Sequence, residues 1–425
     1  MFRIGFGVAI SALLVSTSAI AGTSADIESK DQTHISKDVK DFHSSIAVLD
    51  SHLDTPRLFH TDDYDFKERG SWKDNRTHVD LQRMNEGGLD GGFWVIYTAQ
   101  GALDSAGYQS ARSSALLRQT AIREFAAKYH SEVALAFSAD DADRILSEGR
   151  KVVFQSMENA YPLGTDLTLL EHFYKSGLRM IGPVHFANNQ FADSSTDKEQ
   201  LFDGLSSLGE ELIREANRLG LIVDGSHSSD EATRDMIGLS KTPIILSHTG
   251  ANAIYDHPRN IPDKLLKELA ASGGVIQMNI FASYLEKLEP SPERVAAQKG
   301  METRWIAQFG SVEAVPTDVA QAAQVQLNAR HPAPRSSYEK FLEHTFHVLK
   351  LIGPNHVGIS GDWDGGGGVD GLVDVSMLQR ITNDLLKAGY SKADVANIWG
   401  GNMMRLLRAA EAARTMEISS PNVLN

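Results

Sequence analysis

Eight short apolar runs, each stopped by polar residues and followed by a helical pattern, constrain the fold of this chain more than any other feature. They are Ile46–Leu49, Gly92–Tyr97, Val152–Met157, Met180–Val184, Leu221–Val223, Pro243–Leu246, Val275–Ile280 and Val357–Ile359. Unbroken apolar runs of this length suit strands buried on both faces, as in a parallel sheet covered by helices. The stretches between them are amphipathic: Ile122, Phe125, Ala126 and Tyr129 fall at i, i+3, i+4 and i+7. Ser207-x-x-Glu210 reads as a capping box for a helix closing at Gly220, and Ser228-x-x-Glu231 as the start of the next. Strand–helix units repeated in this way predict an α/β fold, a (β/α)8 barrel. A ninth run, Val133–Phe137, is left out because no distinctive polar residue closes it. A doubly wound open sheet is the alternative, but no G-x-G-x-x-G immediately follows a strand.

Residues 1–21 read as an export signal, with Arg3 as the charged start, Ile4–Val15 as the apolar stretch and cleavage after Ala19-Ile20-Ala21. The expected setting is therefore periplasmic or secreted, with no stable membrane anchor. An N-terminal extension (22–43), the barrel (44–415) and a tail (416–425) follow. Between the seventh and eighth runs, Glu286–Ser337 breaks the rhythm with Pro290, Pro292, Pro316, Pro332 and Pro334 around helical pieces such as Val319–Leu327. It reads as an insertion over one barrel face before the last strand, serving as a lid, binding element or linker.

The net charge of −14 lacks any offsetting basic stripe, which argues against a nucleic-acid partner. The chain has 0 cysteines, which excludes disulfides, thiolate metal sites and a cysteine nucleophile. Any metal must be held by histidine and carboxylate, and any homodimer must be non-covalent. Such groups stand where the runs stop: His52 and Asp54, Glu158, His185, His227, His248 and Asp362. In a barrel these strand ends share one mouth. Singly they say little, since an H-x-D is more often a capped turn than a ligand pair, and a carboxylate after a strand is as readily a salt bridge. Together, His52, Asp54, Glu158, His227, His248 and Asp362 are too many donors for one ion and enough for two that share a carboxylate. Nitrogen and oxygen ligands favour zinc, with manganese or cobalt as substitutes. Neither a G-x-S-x-G elbow nor H-E-x-x-H is present, and His344-x-x-His347 reads as packing or surface within a helix.

The segments LDSHLDT, VVFQSMEN, GPVHFANNQFADSS, VDGSHSS, IILSHTGANAIYDHPRNIPD and VGISGDWDGG, in this order, resemble the membrane (renal-type) dipeptidase family. The resemblance implies a TIM barrel of the metal-dependent hydrolase type, binding two zinc ions per chain and cleaving small dipeptides with a bridging hydroxide. It implies His52 and Asp54 on one zinc, His227 and His248 on the other, and Glu158 bridging them. Asp362 is implied beside the water as ligand, substrate contact and proton carrier, His185 as the oxyanion's partner, and Arg259 as the grip on the substrate's terminal carboxylate. A tailoring amidohydrolase or lactam hydrolase on the same scaffold is the alternative. A metal-containing binding protein is a third reading, which nothing in the sequence favours.

Overall fold

The computed structural model describes residues 35–415 apart from 62–63, 72–76, 311–314 and 316. The expected export signal, most of the extension after it and the 416–425 tail lie outside the described residues. Within them the runs form β1 (Asp50–Leu53), β2 (Gly91–Ile96), β3 (Lys151–Met157), β4 (Leu178–Ile181), β5 (Ile222–Val223), β6 (Ile245–Ala251), β7 (Val275–Asn279) and β8 (Val357–Ser360). Parallel pairing links β1 through β5 in sequence order as one arc. A second arc joins β6, β7 and β8. Single parallel bridges, Asp224↔Ile245 and Leu53↔Trp363, close the two arcs into an α/β barrel.

Two strand expectations need correction. The first run is the approach to β1 and not the strand, because Val48 and Leu49 spend their backbone groups on Asp90 and Trp399 instead of on the ladder. Gly92 lets β2 lie hard against β1: a Cβ there would meet Asp50 O at 1.8 Å, at φ +150°. The ninth run is a real strand, Val133–Leu135, pairing with the start of β3 outside the ring. The helix caps also differ by one residue. Ser206, not Ser207, caps Ser207–Leu219 by accepting from Gly209 N at 3.0 Å, while Glu210 faces Arg214. Ser229, not Ser228, caps Asp230–Leu239. In both places neighbouring serines compete, and the one whose amide is already bound by another segment (Phe191 O or Asp193 O) takes the extended cap conformation. Gly220 closes its helix in the left-handed conformation, as expected.

Side chains from six strands and the approach to β1, including Leu49, Phe93, Phe154, Met180, Ile222, Ile245 and Val275, share one apolar cluster with Met403, Leu406 and Leu407 of the helix Asn402–Ala413. Ile222, Ile245 and Val275 are the first residues of their strands, so the terminal helix plugs the end opposite the strand C-termini. A larger cluster lies between the barrel and its helices. Residues 287–336 form a compact unit of their own, with helices Pro292–Phe309 and Thr317–Arg330 and a small core of Met301, Trp305 and Leu327. Among the described residues, no helix is long and apolar enough to cross a membrane.

The helix Lys37–His43 is fastened by its last residue. His43 Nε2 donates to Gly87 O at 2.9 Å, and its Nδ1 accepts from Thr382 Oγ1 at 2.7 Å, which in turn accepts from Trp399 Nε1. Burial lowers the His43 pKa to about 4, against the smaller raising effect of the Gly87 bond. The folded value lies below the unfolded one, so this contribution is intact above pH 6.5 and drains away as pH falls toward 4. The loss should reach about 3 kcal/mol by the bottom of that window. Urea unfolding of the wild type and His43→Gln, both in excess chelator, should show the wild type losing stability more steeply between pH 6.5 and 4. Equal slopes would remove His43 as the cause.

Candidate active site

The mouth of the barrel receives its polar groups from strand ends and from two interruptions in the ladder. His52 is in β1, where the register with β2 shifts between Asp50 and Leu53. His248 is in β6, where the register with β7 shifts between Leu246 and Thr249. Such irregularities re-aim side chains that a regular pleat would send elsewhere. Glu158 directly follows β3, His185 and His227 lie in the loops after β4 and β5, and Asp362 lies in the loop after β8. His227 and Asp362 are held at positive φ, +69° and +50°, which is uncommon for side chains of this size. Strain of this kind collects at functional sites.

All seven converge. Around Glu158 Oε1 lie four imidazole nitrogens: His227 Nε2 at 3.0 Å, His248 Nε2 at 3.4 Å, His185 Nε2 at 3.5 Å and His52 Nε2 at 3.7 Å. His227 Nε2 and His248 Nε2 are 2.8 Å apart, and His52 Nε2 is 3.3 Å from Asp54 Oδ2. Three overlapping donor groups result: His52, Asp54 and Asp362; His52, Glu158 and His248; Glu158, His185 and His227. The partition is less tidy than a pair of two-residue sets around one carboxylate, because His185 joins Glu158 and His227, and Asp362 joins His52 and Asp54.

The electrostatics favour a cation in this place. Burial pushes the Glu158 and Asp362 carboxyls above their usual range, with His52 opposing it in both. Burial alone would lower His52, but Glu158, Asp54 and Asp362 outweigh it and raise it to about 10. Burial drives His227 and His248 well below the ordinary histidine value and His185 to about 3. Neutral imidazoles therefore aim ring nitrogens at each other and at a carboxylate oxygen, and His227 Nδ1 is buried without a partner among the described residues. Divalent metal satisfies such a donor set, which is all nitrogen and oxygen.

Arg259 is brought in by a short strand, Asn260–Ile261, that pairs with the end of β6. Its Nη2 donates to His248 O at 2.9 Å, its Cζ lies 5.2 Å from the Tyr284 ring centroid, and its buried Nε has no hydrogen-bond partner among the described residues. Several neighbours escaped the sequence reading. Asn279 donates to Asp362 Oδ2 at 3.2 Å, and the Tyr97 ring stands edge-on to His185 at 5.0 Å. Asn279 is the last residue of β7 and stands one residue before the end of the seventh run, a position that could have flagged it. Asp364 turns away from the mouth to accept from Thr55 Oγ1 and His78 N, each at 2.7 Å. Gly365 must lack a side chain, because a Cβ would sit 2.1 Å from Asp54 Oδ2 and 2.3 Å from Asp362 Oδ1. His344 and His347 lie apart from this cluster, as expected. His344 is buried against Ala251 N and Leu285 O, and His347 meets Asp263.

The profile of a family described as membrane dipeptidase (peptidase family M19) matches residues 36–420. Dipeptidase tcpJ of Claviceps purpurea is 28% identical over 344 residues, covering 80% of this chain and 71% of that protein. Dipeptidase verJ of Clonostachys rogersoniana is 27% identical over 394 residues, covering 87% and 89% respectively. The crystal structure of the probable dipeptidase PvdM from Pseudomonas aeruginosa aligns with a TM-score of 0.75 at 29% identity, covering 88% of this chain and 98% of that one.

A ligand that binds only the folded state, at a hundredfold excess over its dissociation constant, stabilises it by about 2.7 kcal/mol. Zinc should therefore raise the thermal midpoint of the chelator-treated wild type by a few degrees. Glu158→Gln should match or exceed the wild type without metal, since a costly buried charge is gone, and should lose most of the zinc-dependent rise. A full rise in that variant would count against Glu158 as a metal donor.

Proposed function

Since the chain belongs to the membrane dipeptidase family of metallopeptidases, we propose that it hydrolyses the peptide bond of small dipeptides at a pair of divalent ions, zinc above all. The observation that carries this reading is the gathering of four imidazoles and two further carboxylates around Glu158, next to a buried arginine whose Nε has no hydrogen-bond partner among the described residues. His52 and Asp54 would hold one ion, His227 and His248 the other, and Glu158 both. When bound, two such ions polarise a carbonyl and supply a water acidic enough to attack near neutral pH.

The remaining steps fall to side chains. Arg259 grips the terminal carboxylate of the dipeptide and so measures its length, because a longer peptide has no charge at that place. His185, held neutral by burial, stabilises the oxyanion as a hydrogen-bond donor without first giving up a proton. Asp362, fixed by Asn279, takes a proton from the attacking water and delivers it to the departing amine. Its raised pKa suits a group that must both accept and release. The setting we propose is outside the cytoplasm, after cleavage behind Ala21, where wall turnover would supply dipeptides of either stereochemistry.

The test is a panel of L-Ala-L-Ala, L-Ala-D-Ala and their N-acetyl and C-amide forms. Free dipeptides should be preferred, and dominant turnover of the N-acetyl compounds would instead support an acyl-amide hydrolase. Arg259→Gln should lower kcat/KM for free dipeptides about 10- to 150-fold, the worth of hydrogen bonds to a charged group, and affect the C-amides much less. Asp362→Asn should reduce kcat by roughly 10²- to 10⁴-fold, the usual scale for a lost proton carrier. Unchanged kcat would remove Asp362 from that role.

A further inference from the structure

We propose that Asp224, acting through the Ser247 hydroxyl, selects the tautomer of His248 that leaves Nε2 free to hold a metal ion. This rests on the reading of His248 as a ligand and adds a positioning pair to it. Asp224 directly follows β5 and is buried. Its Oδ1 accepts from Ser226 N and Ser247 N, both at 2.9 Å, and its Oδ2 lies 2.5 Å from Ser247 Oγ.

A hydroxyl has one proton to give. Three acceptors are within reach of Ser247 Oγ: Asp224 Oδ2 at 2.5 Å, His248 Nδ1 at 2.8 Å and Ser226 Oγ at 3.3 Å. Asp224 Oδ2 is the nearest of the three, so the Ser247 hydroxyl donates to it. Ser247 Oγ then offers a lone pair to His248 Nδ1, and that nitrogen must bear the hydrogen. A neutral imidazole protonated at Nδ1 has its lone pair on Nε2. Nε2 is the atom that faces Glu158 Oε1 and His227 Nε2. The ring's own backbone is pinned as well, since His248 N donates to Ser226 Oγ at 3.0 Å. Among the described residues His227 has no such support, its Nδ1 being without a partner there. Partners of this kind, one step behind a ligand, are worth about 10- to 100-fold in metal affinity.

The chain offers a chemical reversal of this arrangement. In Asp224→Asn, the amide oxygen must face the two backbone N–H groups, which places the NH2 against Ser247 Oγ. Ser247 Oγ then accepts from that NH2 through one lone pair and, having lost its nearest acceptor, turns its own proton to His248 Nδ1. The ring hydrogen moves to Nε2, where it blocks the metal. Ser247→Ala removes the intermediary and leaves the ring free to choose.

Zinc competition titrations against a chromogenic chelator would compare wild type, His248→Ala, Asp224→Asn, Ser247→Ala and the Asp224→Asn/Ser247→Ala double variant. Thermal midpoints of the metal-free proteins would verify folding. Asp224→Asn should weaken one zinc about 10- to 100-fold and spare the other, and Ser247→Ala should weaken it less. The double variant should bind no worse than Ser247→Ala, so that the second substitution rescues the first. Histidine ¹⁵N spectra of the metal-free proteins should show His248 protonated at Nδ1 in the wild type and at Nε2 in Asp224→Asn. Wild-type zinc affinity in Asp224→Asn, or a double variant weaker than Asp224→Asn alone, would overturn the role of the pair. Unaltered zinc binding in His248→Ala would overturn the ligand reading and the pair together.

Discussion

A carboxylate stripped of water and faced by four imidazoles is a costly arrangement, and Glu158 is held in it by the whole barrel. Its position at the end of β3 is central because β3 has neighbours on both sides along most of its length. The histidines around it come from β1, β6 and the loops after β4 and β5, so no local piece of chain could assemble the cluster. Its electrostatic strain is relieved by positive charge, and this makes the site receptive to cations.

The carboxylates behind the donors have a different task. Asp50 accepts from His52 N and Gly361 N, joining β1 to the loop after β8. Asp364 reaches back to Thr55, the residue after Asp54. Asp224 joins the end of β5 to β6. Each spans a junction where the ladder is reduced to one bridge, and there side-chain hydrogen bonds replace missing backbone ones. The acids that stiffen the ring are thus interleaved with the acids that would bind metal.

The barrel and its donors were legible in the sequence because buried parallel strands are written as continuous apolar runs, and polar residues at their ends stand out against them. His52, Glu158, His227 and His248 could be read in this way. What escaped was whatever depends on chain direction in space. The run Ile46–Leu49 is as apolar as a strand, yet its bonds go to a loop and a helix. The choice of Ser206 over Ser207 turned on an amide already claimed by Phe191, which no local pattern reveals. Asn279 and Tyr284 are ordinary residue types, and only the fold brings them to Asp362 and Arg259.

The two arcs are each a continuous stretch of chain, and they divide the donors unequally. His52, Asp54, Glu158, His185 and His227 belong to the first or to the turn leaving it, while His248 and Asp362 come with the second. Neither half holds the whole of the proposed donor set. Whatever order the chain follows in folding, the proposed donor set is complete only once both halves have met, so loading with metal would also certify that the ring has been correctly assembled.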